Sequence, residues 1–131
     1  MKKFVLITGA SGAIGQAIAL KLAARGYSLY LHYNQNREAM EGLLEKLAVF
    51  DGEYFPIQSD LAEPFGYKQV ASKVFSLDGI VHNAGQTLYG LLQDLQEDRV
   101  ARLIQTAITS PLMLTKELVP KLITKKSGSI V

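Results

Sequence analysis

Three glycines in eight residues, Thr8-Gly9-Ala10-Ser11-Gly12-Ala13-Ile14-Gly15, separate an unbroken apolar run, Phe4-Val5-Leu6-Ile7, from a segment with apolar residues at helical spacing. A continuous apolar run is the pattern of a strand buried on both faces. Ile14, Ala17, Ile18 and Leu22 form one stripe of a helix, and Gly26 can close it in the left-handed conformation that follows a last turn. Strand, tight turn and helix in that order begin a crossover unit, which demands a parallel sheet with helices packed on its faces.

The alternation continues along the chain. Residues 27–33 predict a second strand, and Asn34 or Asn36 can cap a helix running to about residue 49, with Asp51-Gly52 as the next turn. Tyr54-Phe55-Pro56-Ile57 is the third strand. Pro56 has no N–H for a ladder, so this strand belongs at a sheet edge, and the order 3-2-1-4-5 follows. Residues 66–75 predict a short helix and residues 79–82 a fourth strand. Residues 96–124 read as one long helix that Pro111 and Pro120 can bend or interrupt. After the Ser127-Gly128 break, Ser129-Ile130-Val131 opens a fifth strand. The class is α/β, three layers, and residues 1–131 form one domain. A strand cut off after an apolar pair leads to the expectation of an amino-terminal portion of a longer protein, truncated before the last strands. A true end with a frayed edge strand is the alternative.

Composition narrows the function classes. With no cysteine in 131 residues, disulfide scaffolds, thiolate zinc sites and thiol catalysis are excluded, and no other metal-binding cluster is apparent. Fourteen basic residues against twelve acidic ones, spread along the chain, argue against a nucleic-acid partner. The one basic cluster, Lys116, Lys121, Lys125 and Lys126, falls late in the long helix, where cations complement the dipole. Met1-Lys2-Lys3 and the short apolar run after it read as a cytoplasmic start, and no apolar run is long enough for a membrane helix.

The glycine turn is a candidate phosphate site. Gly9 allows the sharp turn, Gly12 lets backbone approach a pyrophosphate, and Gly15 lets the helix pack closely on the sheet. The helix aims free N–H groups and the positive end of its dipole at the anion. No Gly-Lys-Ser/Thr ending follows, which excludes a nucleoside-triphosphate loop and favours a dinucleotide.

At these residues the chain resembles the short-chain dehydrogenase/reductases, whose fingerprint is Thr-Gly-x-x-x-Gly-x-Gly. Ala13 stands in the middle glycine slot, with Gly12 one place earlier. Asp60-Leu61 resembles the pair that contacts the adenine, and His82-Asn83-Ala84-Gly85 resembles the Asn-Asn-Ala-Gly loop beside the cofactor ribose. The resemblance covers the whole chain. It implies a Rossmann-type fold and a cofactor site of Gly9, Ser11, Gly12, Ala13, Ile14, Gly15, Asp60, Leu61, Asn83, Ala84 and Gly85. Asp60 has an alternative reading as a turn residue, and His82 is read as a satisfied polar core residue rather than a base.

The end of the second strand adds Tyr33, Asn34, Asn36 and Arg37 to that site. Proteins that choose NAD place an acid there for the ribose 2′-hydroxyl. Here no acid occurs before Glu38, so NADP is expected over NAD, with Arg37 and Asn34 or Asn36 bonding the 2′-phosphate. Arg37 as a solvated helix residue is the alternative.

The resemblance also implies hydride transfer between NADPH and a ketone or alcohol such as a 3-oxoacyl thioester. That chemistry uses a serine and a Tyr-x-x-x-Lys pair beyond the fifth strand. Here the residues four after each tyrosine are Leu31, Asn34, Arg37, Gln58, Ala71 and Gln93, and Ala107 occupies the slot of the family's helix asparagine. No catalytic residue is assigned within the chain, and these 131 residues alone are expected to be inactive. Residues 86–90 and the helix at 99–115 would wall a substrate cleft, and Val100, Leu103, Ile104 and Leu112 would present an apolar face for a homo-oligomer. The rival readings are a non-catalytic NADP sensor and a scaffold with a vestigial site.

Overall fold

In the computed structural model, which describes residues 2–131, five strands pair in parallel: β1 (Phe4–Ile7), β2 (Ser28–Tyr33), β3 (Tyr54–Gln58), β4 (Gly79–Val81) and β5 (Ser129–Ile130). Their order is β3-β2-β1-β4-β5, the doubly wound arrangement of a Rossmann-type fold. β1 lies at the centre, with Val5 opposite Leu29 of β2 on one side and Gly79 of β4 on the other. Pro56 sits opposite Leu31 on the outermost strand, so its missing N–H costs the sheet nothing.

Side chains alternate across the sheet and divide the core in two. Phe4, Leu6, Tyr30 and Ile80 pack with α3 (Gly66–Ala71) and the later helix α5 (Ser110–Lys125), through Val70, Leu114, Leu118 and Leu122. Val5, Ile7, Leu29 and Leu31 pack on the other face with α1 (Ala13–Ala24) and α2 (Arg37–Leu47), through Ala19, Ala23, Met40, Leu43 and Leu47. Asn36 caps α2, its side chain accepting from the Ala39 N–H at 3.0 Å, and α2 stops at Leu47, two residues short of expectation. Gly26, at φ +90°, closes α1 as expected: its N–H bonds to the Ala23 carbonyl and that of Tyr27 to the Leu22 carbonyl.

Three expectations need correction. The inward stripe of α1 is Gly15, Ala19 and Ala23, not the line through Ile14 and Ala17; Ile14 is 70% exposed. Small residues allow this helix to lie close to the turn that precedes it. α3 ends at Ala71 rather than 75, because the Phe75 and Ser76 N–H groups turn away to donate to the buried Tyr30 hydroxyl at 3.3 and 3.2 Å. That hydroxyl donates in turn to the Ser76 carbonyl. The long helix is two helices, α4 (Glu97–Ile104) and α5, joined through a π-helical turn at Gln105–Thr109. Pro111 has no N–H to give the Ala107 carbonyl, and the widened turn lies directly before it. Pro120, by contrast, stays inside α5 without ending it.

Among the described residues no helix is long and apolar enough to cross a membrane.

Leu114 is fully buried between α5 and the sheet, whereas Ile123 on the same helix is 67% exposed. Leu114→Ala is expected to lower unfolding free energy by about 2–5 kcal/mol and Ile123→Ala by no more than ~0.5 kcal/mol, read as urea midpoints at constant slope.

Candidate functional site

The carboxyl ends of β1 to β4 meet above the sheet in a cleft of about 470 Å³. β1 carries its chain into the glycine turn, and two sets of hydrogen bonds hold that turn in place. From one side, the Thr8 hydroxyl accepts the N–H groups of Asn83 and Ala84, both at 3.0 Å, and the Asn83 amide donates to the Gly9 carbonyl at 3.0 Å. From the other, the Ala10 N–H donates to the His32 carbonyl at 2.8 Å and the Gly9 N–H to His32 Nδ1 at 3.1 Å. The ends of β2 and β4 thereby fix the turn between them.

Close approach explains two of the glycines. Gly9 has φ +65°, and a Cβ there would stand 2.8 Å from the Ala84 Cα. A Cβ at Gly15 would collide with the Gly9 carbonyl and lie 2.7 Å from the Ala10 Cα. Gly15 therefore serves the contact between α1 and the turn itself, where the sequence placed it against the sheet. Gly12 differs: its φ of −76° suits any residue, and a Cβ would meet only the Gly9 carbonyl at 3.8 Å. The space beside Gly12 is open, on the cleft wall. No side chain caps α1, so its first N–H groups and dipole are available to an anion.

Gly9, Ser11, Gly12, Ala13, Ile14, Gly15, Asn34, Asp60, Leu61, Asn83, Ala84 and Gly85 all line the cleft. Tyr33, Asn36 and Arg37 do not: Tyr33 packs in the core beside α1 and α2, Asn36 is spent capping α2, and Arg37 is an exposed residue of its first turn. His32 and Ala62 line the cleft without having been singled out, and Gln86 and Thr106, from the two segments expected to wall a substrate cleft, line it as well. For His32 a signal existed, as the one imidazole in a buried strand whose other side chains are Ser, Leu and Tyr; for Ala62 there was none.

Asp60 has two tasks. One oxygen accepts the Ala62 N–H at 2.9 Å, the turn role, and the other takes Arg102 at 2.9 Å. Burial would raise its pKa, but the hydrogen bonds from Arg102 and Ala62 outweigh burial and hold the carboxyl below its ordinary range. Arg102 also bonds Glu63 at 3.0 Å, so α4 is tied to the segment after β3, whose Asp60 lines the cleft. Sequence reasoning missed this ion pair, which spans 42 residues.

His82 is only half satisfied: Nε2 bonds the Thr115 hydroxyl at 2.8 Å, whereas Nδ1 is buried with no partner. Desolvation lowers its pKa, favouring the neutral ring. Among the described residues no group of three or more His, Asp or Glu could hold a metal ion.

The family model described as short chain dehydrogenase matches residues 3–131. An uncharacterized oxidoreductase, YmfI, of Bacillus subtilis is 44% identical over the whole chain, which covers 55% of that protein. The 3-oxoacyl-[acyl-carrier-protein] reductase FabG of Staphylococcus aureus is 33% identical, with the same two coverages. The chain thus spans about half the length of the curated relatives it matches. Among solved structures, a metagenomic short-chain oxidoreductase in complex with NADP superposes with TM-score 0.90 at 27% identity, over 98% of this chain and 60% of that one. A short-chain dehydrogenase of Sphingobium yanoikuyae in complex with NADPH gives 0.89 at 26% identity, over 98% and 52%.

The two glycines of α1's start separate packing from open space. Gly15→Ala is expected to destabilise the fold by about 1–3 kcal/mol, since backbone must move. Gly12→Ala is expected to leave the thermal midpoint within a degree or two of the parent, measured by circular dichroism.

Proposed function

The chain belongs to the short chain dehydrogenase family, and from that premise we propose that it forms the dinucleotide-binding portion of an NADP-dependent reductase acting on a ketone such as a 3-oxoacyl thioester. The observation that carries this reading is the cleft itself. One wall is the uncapped start of α1 with the open face of Gly12, and the others are Asp60-Leu61 and Asn83-Ala84-Gly85. A pyrophosphate would lie on the amides of the turn, and the Asp60 carboxylate would accept from the adenine amino group.

NADP over NAD is supported by the chemistry at the end of β2. Asn34 is on the cleft wall, no acid stands beside it, and Arg37 projects from the first turn of α2 one residue after the cap. The complexes of two relatives with NADP and NADPH agree with this choice. When bound, the nicotinamide supplies the hydride. No Tyr-x-x-x-Lys pair occurs in these 131 residues. Holding and orienting the cofactor is the task we assign to them, in a cytoplasmic enzyme.

The oligomer belongs to the same proposal. Ile104, Ile108 and Leu112, 46%, 60% and 65% exposed, line up from α4 through the π turn into α5. A second copy packing along these helices would cover them.

Calorimetric titration at matched salt is expected to show NADP⁺ binding at least tenfold more tightly than NAD⁺. Asn34→Asp is expected to reverse the order, because a carboxylate repels the 2′-phosphate and accepts from a 2′-hydroxyl. Tighter NAD⁺ binding by the parent protein would defeat the cofactor assignment. For the oligomer, size-exclusion chromatography is expected to give a species larger than a monomer, and a monomer independent of dilution would count against it.

A further inference from the structure

His32 is 3% exposed and stands at the end of β2, between the glycine turn and the residues after β3. Its two ring nitrogens have different partners, which fixes its protonation. The Gly9 N–H donates to Nδ1 at 3.1 Å, so Nδ1 carries a lone pair. Nε2 lies 2.8 Å from the Ser59 carbonyl, which can only accept, so Nε2 carries the proton. Only the neutral ring protonated on Nε2 satisfies both bonds. With the His32 carbonyl taking the Ala10 N–H, this one residue holds two successive amides of the turn.

We propose that His32 is a positioning residue for the glycine turn, and that protonating its ring displaces the turn and weakens dinucleotide binding. A second proton would sit on Nδ1 and face the Gly9 N–H, donor against donor. The turn cannot yield toward β4, because Gly9 already lies against Ala84 and Asn83. Its way out is into the cleft, where the pyrophosphate would lie.

Two histidines stand near the turn, His32 and His82; the His82 ring bonds Thr115 of α5 through Nε2 rather than the turn, and its titration is common to the parent and His32→Asn. The turn from Thr8 to Gly15 and the loop from Asn83 to Gly85 contain no ionisable side chain. From the end of β3, Asp60 acts on the ring, favouring its charged form, but this carboxylate is paired with Arg102 and held ionised. Burial outweighs both Asp60 and the Ser59 bond and lowers the His32 pKa from its ordinary 6.5. The sign follows from that direction. The protein unfolded or displaced at the turn binds the proton better, so both native stability and affinity are fully present above pH 6.5 and fall as acidification proceeds through the lowered pKa.

This inference rests on the proposed dinucleotide site, and its test separates the two. NADP⁺, which is stable in acid, is titrated calorimetrically into the intact protein from pH 8 downward, alongside His32→Asn and His32→Leu. In parallel, the His32 ring and the Gly9 amide are followed by ¹⁵N NMR without ligand. The ring is expected to be protonated on Nε2 at pH 8, and the Gly9 amide shift to move with the same midpoint as the ring. His32→Asn keeps an acceptor for Gly9 and cannot titrate. Once the ring is mostly protonated, the parent is expected to lose at least tenfold more affinity than His32→Asn; the 2′-phosphate's own titration is common to both proteins. His32→Leu is expected to bind at least tenfold more weakly than the parent at pH 8.

Parallel pH profiles of parent and His32→Asn, a Gly9 amide indifferent to the ring, or a ring that takes no proton before the protein unfolds would overturn the proposal. Should His32→Leu fail to fold, the Asn variant and the NMR titration still decide. Absence of NADP⁺ binding at every pH would overturn the dinucleotide reading instead, and the Gly9 response would still report on the ring.

Discussion

Everything near the cleft depends on how the chain leaves the central strand. After β1 the backbone turns through Gly9 in a conformation few residues adopt, and it holds that shape because neighbours on both sides accept or donate to it. The Thr8 hydroxyl takes two N–H groups from the segment after β4, while His32 takes two from the turn. Each of these bonds is worth about 1 kcal/mol net, but leaving one buried donor unmet costs about 1–3 kcal/mol, so the set stands or falls together. The result is a row of amides at the start of α1 that has no internal partner and a fixed direction.

The fold was legible where local chemistry dictates geometry. Pro56 put β3 at the edge, Asn36 capped α2, Gly26 ended α1, and alternating apolar segments established the parallel sheet and its order. The register of apolar residues on α1 was less legible, since a helix that approaches a backbone turn buries its smallest residues rather than its most apolar. The π turn was hidden because Pro111 announces a disturbance without saying whether the helix will bend, stop or widen.

Within the site, the glycine turn and the segments after β3 and β4 were readable because their spacing carries the meaning. The residues around Arg37 were harder. Counting along the chain placed Tyr33, Asn34, Asn36 and Arg37 together, but alternation in β2 sends Tyr33 into the core, and capping claims Asn36. Arg102 escaped because its partners are tertiary neighbours, and nothing in a linear sequence marks a pair that distant.

The widened turn between α4 and α5 has a mechanical consequence. One extra residue in a helix rotates everything after it by about 100° relative to everything before. α4 can therefore present Arg102 to Asp60 and Glu63 while α5 sends Ser110, Leu114, Leu118 and Leu122 inward, two aims that an uninterrupted cylinder would put out of phase. The single surplus residue acts as a gear offset, letting one continuous rod brace the segment after β3 and fill the interior at once.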